Sequence, residues 1–163
     1  MVTNKILSYL FQWSVIGIVI FCVYVVVVFR TGMVYTAREV DGTMKKKIPL
    51  SGILNMLGFL LGIVGLQLAA NAFGVCGKGF RLPFPGLLGL NYAHYLILFI
   101  FDTVIIDGLV LGVWRPGFLR IPDSMGKESM KEHITASIPV GLAAGIVLAG
   151  ISTTISSFLL LNK

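Results

Sequence analysis

An all-α membrane protein, built as a bundle of four transmembrane helices, is the fold class that three observations predict. Apolar residues make up 56% of the chain and charged residues only 12%, whereas a soluble domain carries about 25% charge. Mean hydropathy is +0.93. Four separate runs reach the ~20 apolar residues needed to cross a bilayer. With 163 residues, the chain is expected to form one integral-membrane domain over 1–163, with no second domain of useful size.

The first span is expected at about 6–29, ending in the valine-rich stretch Val25–Arg30. Only Lys5 precedes it as a charged flank. The run is longer than the ~7–15 residue core of a cleaved signal, and no small-residue cleavage site follows, so it reads as a retained span. The second span is expected at about 50–72, the third at about 92–113 and the fourth at about 138–161. Only helices and closed barrels satisfy backbone polar groups in lipid. Continuous apolar runs with no two-residue alternation exclude the barrel.

The connections carry the charge. Arg30, Arg38, Lys45, Lys46 and Lys47 flank the first connection, and Arg115, Arg120, Lys127 and Lys131 the third. Lys5, Lys78, Arg81 and Lys163 fall on the other side. The positive-inside rule then places both long loops in the cytoplasm and the N- and C-termini outside. The Lys45–Lys47 run reads as a topology determinant, to which anionic-lipid contact adds at most about 1 kcal/mol per charge. The net charge of +6 is thus a matter of topology; the chain lacks the aromatic-interleaved basic footprint of a nucleic-acid binder, and no nucleic-acid partner is expected. Gly74–Gly89, rich in Gly and Pro yet apolar, reads as an interfacial loop. Before span four, Asp123 or Ser124 caps a short amphipathic helix starting near Met125. Its Lys127, Glu128, Lys131 and Glu132 oppose Met125, Met130 and Ile134, and it bends or continues into the span near Pro139.

Small residues four apart mark close helix contact in membranes. Gly58 and Gly62 (with Gly65 close by) on span two, Gly108 and Gly112 on span three, and Gly141, Gly145 and Ala149 on span four are the expected packing stripes. Ser137 and Thr153 flank the last of these. Gln67 and Asn71 are four apart and share a face of span two. With Asn91 and His94 at the start of span three they form an expected outer polar cluster, read as interhelical hydrogen bonds worth about 0.6–2 kcal/mol each.

Two carboxylates stand inside span three. Asp102 and Asp107 interrupt the apolar run Tyr95–Val113, and a carboxylate there costs roughly 2.5–3.5 kcal/mol on insertion scales. Such residues are functional candidates by default. On an α-helix, five residues rise about 7.5 Å and turn about 140°, so the two acids are expected on different faces. Each then needs its own partner or must carry a proton. For Asp107 the expected partner is His133, across an antiparallel span four, or Arg115 further along its own helix.

The chain has no HExxH, GxSxG or P-loop, and no His-box set. Its two histidines fall near opposite membrane faces, which argues against one shared metal site. No metal is expected; haem held between helices by a histidine is an alternative, since bundles often host cofactors, and the cofactor stays open. Cys22 and Cys76 show no CxxC or zinc spacing, and Cys22 reads as a small buried apolar residue. Three functional readings fit. One is a transport or channel-type protein, homo-oligomeric, with Asp102 and Asp107 binding or relaying protons or a cation. Another is an integral-membrane enzyme acting on a lipid or quinone, with His133, Asp107 and Arg115 at the cytoplasmic rim. The third is an accessory subunit paired with a partner membrane protein. Short loops and the lack of targeting signals point to a bacterial inner membrane.

Overall fold

The computed structural model describes residues 2–33, 49–77, 82–123, 125 and 127–159, with side chains from Met130 onward in the last helix. It holds four long helices and, among the described residues, no strand. We number them α1 (Val2–Arg30), α2 (Leu50–Cys76), α3 (Phe84–Trp114) and α4 (Lys127–Leu159). All four are long and apolar enough to cross a bilayer, as befits a small multi-pass integral membrane protein. Much of their apolar surface faces outward. Phe11, Leu61, Phe73, Val113 and Phe158 are all more than 60% exposed, which suits lipid contact.

Two spans are longer than expected. Helix α3 begins at Phe84, inside the stretch read as the Gly74–Gly89 loop, and α2 continues to Cys76. The loop reading fails at both ends for physical reasons. Pro83 and Pro85 stand at the first turn of α3, where a missing N–H costs nothing. Leu87 and Leu90 then bury against Tyr9, Ala70 and Val75. Helix α4 is continuous through Pro139. Its 33 residues extend about 50 Å, more than the ~30 Å hydrocarbon core. Ser124, the side chains of Lys127 and Glu128, and the basic residues Arg38, Lys45, Lys46, Lys47, Lys78, Arg81 and Lys163 lie outside the described residues.

Helix α4 packs along α3 and against α2, while α1 packs on α3 and meets the end of α2. Gly141 and Gly145 let α4 close on α3: a Cβ at Gly141 would strike the Phe99 ring, and one at Gly145 the Tyr95 ring. The other two stripes do not pack this way. Among the described residues beyond the helix's own adjoining backbone, nothing lies within 4 Å of the Cβ position at Gly58, Gly62 or Gly65, and Gly108 and Gly112 meet only carbonyls of their own helix.

Both α2 and α3 change their winding partway. Residues Ala70–Cys76 and Asp102–Trp114 are π-helical. There each N–H bonds five residues back: Gly77 to the Ala72 carbonyl at 3.0 Å, and Arg115 to the Val110 carbonyl at 2.8 Å. Helix α3 ends where Arg115 takes a left-handed conformation, φ 46°.

Candidate functional site

Span three passes two polar regions. The first lies near the end of the bundle where α1 begins. Gln67, Asn71, Asn91 and His94 are all buried there. The Gln67 side-chain amide donates to the Asn91 carbonyl at 2.9 Å, and the Asn91 side-chain amide donates to Thr153 Oγ1 at 2.9 Å. Asn71 donates to Ser156 Oγ at 2.8 Å and accepts from the Tyr9 hydroxyl at 3.2 Å. These bonds join all four helices. The His94 ring stands edge-on to Tyr9, centroids 6.2 Å apart. The Trp13 backbone stands beside this imidazole, and among the described residues Gln67 Oε1, Asn91 Oδ1, Ser14 Oγ and Ser152 Oγ have no hydrogen-bond partner. The region is built of amides, hydroxyls and one imidazole, and its hydrogen bonds tie the helices together.

Tyr9, Ser14, Ser152 and Ser156 joined this region without being singled out in the sequence. Thr153 and Ser156 extend the Gly141, Gly145 and Ala149 stripe at steps of four and three residues. That continuation of one helix face was a usable signal. Tyr9 had none, because aromatic residues near membrane interfaces are ordinary.

The second region follows at Asp102. The α-helical phase that separates Asp102 from Asp107 does not apply, because this segment is π-helical. With bonds running from i to i+5, residues five apart stack as residues four apart do in an α-helix. Asp102 and Asp107 are therefore closer in phase than the α-helical expectation of two divergent carboxylates, with Asp102 lining the cleft towards α1 and α2 and Asp107 the groove towards α4. Gly112 continues the same five-residue step. A Cβ on it would come within 3.1 Å of the Asp107 carbonyl.

Across the interface, His133 Nε2 lies 3.6 Å from Asp107 Oδ2. The pair is ionic only when the imidazole carries a proton. The His133 side chain is 59% exposed and that of Asp107 13%, so the pair runs from an exposed edge of the bundle inward. A groove beside Asp107, lined by Gly108, Gly112, Met130 and Thr135, opens at this point.

Arg115 does not join the pair. Its guanidinium bonds the carbonyls of Leu111 (3.4 Å), Pro122 (3.3 Å) and Met125. That corrects the expectation of an Arg115–Asp107 pair: the left-handed turn at Arg115 sends the side chain to the loop, where it holds the 115–125 connection to the end of α3. Asp102 itself makes no hydrogen bond or ion pair among the described residues. It faces a cleft between α1, α2 and α3.

Cys22 and Cys76 form no disulfide. Among the described residues, no group of three His, Cys, Asp or Glu side chains is placed to hold a metal ion. Comparison with protein-family models, with curated proteins and with solved structures finds no match to the chain.

Proposed function

We infer that this protein is a small proton- or cation-handling membrane protein of transport or channel type, with Asp102 as its intramembrane carboxylate. One arrangement supports the reading: His133 lies 3.6 Å from Asp107 at an exposed edge of the bundle, and Asp102 stands one π-helical turn before Asp107 on span three. The His133 imidazole stands at the exposed end of this arrangement, and a ring nitrogen can carry a proton. A carboxylate 3.6 Å from it is placed to receive that proton, and a second carboxylate one turn away is placed to take it further. Intramembrane Asp and His chains are the usual means of moving protons through lipid.

In this reading the positive-inside count puts the His133 end in the cytoplasm and the α1 start outside, in a bacterial inner membrane. Four helices leave little room for a complete pathway, so identical subunits assemble to supply the remainder. The rim-enzyme reading loses one of its three residues, because Arg115 is engaged with backbone carbonyls of the loop.

Proteoliposomes with an internal pH-sensitive dye test the proposal. Under a potassium diffusion potential, the native chain should acidify the lumen faster than empty liposomes. Asp102→Asn should return the rate to that background while the protein still melts cooperatively. An Asp102→Asn rate equal to the native one would remove the basis of the reading.

A further inference from the structure

The cleft that Asp102 faces has a composition a simple packing defect would not need. It measures about 80 Å³, and its walls include the rings of Phe21, Tyr24, Phe59, Tyr95 and Phe99. The rings form two groups. Phe21, Tyr24 and Phe59 sit with centroids 5.7 to 6.3 Å apart. Tyr95 and Phe99 stack at 5.9 Å with their planes 8° apart. Asp102 is the single charged residue on this lining.

The rings are held in place. The Tyr24 hydroxyl donates to the Asn55 backbone carbonyl at 2.8 Å and also to its side-chain oxygen. The Tyr95 hydroxyl donates to the Gly141 carbonyl at 2.9 Å. Tyr95 and Phe99 lie against Gly145 and Gly141, where no Cβ keeps them off the α4 backbone. Aromatic faces carry negative potential and attract cations within about 6 Å. A carboxylate among them adds a counter-charge that a hydrocarbon guest would have no use for. No Lys or Arg lines the cleft to supply that partner from within.

We propose that the cleft binds a compact quaternary-ammonium-type organic cation, its charge between the two aromatic walls and Asp102 as its counter-ion. The volume fits such a head. About 80 Å³ holds roughly five to eight water-sized groups, and a nitrogen with its four carbons falls at the lower end of that range. The proposal shares Asp102 as working carboxylate with the function inferred above, but it requires binding and not flux.

Benzyltrimethylammonium is the probe, with neopentylbenzene, its uncharged carbon isostere, as competitor. Binding to the full chain in lipid nanodiscs is measured by equilibrium dialysis with no gradient applied, so a chain that moves no protons is still tested. Saturable binding that weakens at least about tenfold in Asp102→Asn and resists the isostere is the expected result. If Asp102→Asn does not fold, Phe59→Leu decides, with a loss of about threefold expected. Competition by neopentylbenzene at equal strength would show a hydrocarbon-binding cleft instead and overturn the proposal. Unchanged affinity in whichever of the two variants folds would also overturn it.

Discussion

Span three runs through two polar regions that solve the same problem in opposite ways. Near its start, Asn91 and His94 sit in a region of amides and hydroxyls, closed off from solvent and tied to the other three helices. Near its end, Asp102 and Asp107 are titratable carboxyl groups with few partners and an open edge at His133. A neutral hydrogen bond between helices is satisfied in one arrangement and holds it. A row of titratable groups works only where its members remain free to change state. On the proposed reading the first region supplies stability and the second the chemistry, although their residues lie on one continuous helix.

The largest expected effect comes from changing the spacing between the acids. Inserting one alanine after Val104 puts them six residues apart, out of phase in either winding, and proton flux should fall to the Asp102→Asn level. Deleting Val104 leaves them four apart, stacked as in an ordinary α-helix, and flux should survive. If both variants conduct equally, the acids do not act as a pair. Val104 suits the purpose because it is exposed to lipid.

A smaller effect is expected from Asn71→Leu. It removes the bonds from Tyr9 and to Ser156 together, leaving both hydroxyls buried and alone. Buried unpartnered groups cost about 1–3 kcal/mol each, and bonds between membrane helices average near the low end. Thermal unfolding in detergent should therefore show a clear drop, while flux per folded molecule stays at the native level. A variant that melts normally but conducts poorly would reverse the division of labour drawn here.

The smallest change in stability belongs to His133→Ala. The side chain removed is the exposed member of the pair, 59% against 13% for Asp107, so the melting temperature should move less than in Asn71→Leu. Flux should slow and recover with added imidazole. Slowing without recovery would place the role of His133 in packing.

The four spans were legible because their length and hydropathy do not depend on detail. The face shared by Gln67 and Asn71 was legible too, since it follows from α-helical phase. So was the meeting of Asp107 and His133, which needed only antiparallel neighbours. What the sequence hid was local winding. Nothing in the composition of Asp102–Trp114 announces bonds from i to i+5, and the α-helical rule set Asp107 too far from Asp102 in phase. Glycine was ambiguous for a related reason. It shows that space is available and not what fills it: α3 fills the space at Gly141 and Gly145, whereas Gly58 and Gly62 line the cleft. Arg115 was misread because its left-handed turn redirects the side chain, and no pattern marks a non-glycine residue in that conformation.

Gly58 and Gly62 are exposed, and among the described residues beyond the helix's own adjoining backbone nothing stands within 4 Å above them. The mouth of the cleft therefore opens sideways, towards acyl chains. A guest arriving by that route has first partitioned into the bilayer, and the concentration the site meets is the membrane concentration. Each added methylene favours that partitioning by about 0.8 kcal/mol, close to fourfold. Apparent affinity in water should then climb about fourfold per carbon along an alkyltrimethylammonium series. Expressed per mole of lipid-dissolved ligand, the affinity should stay nearly flat.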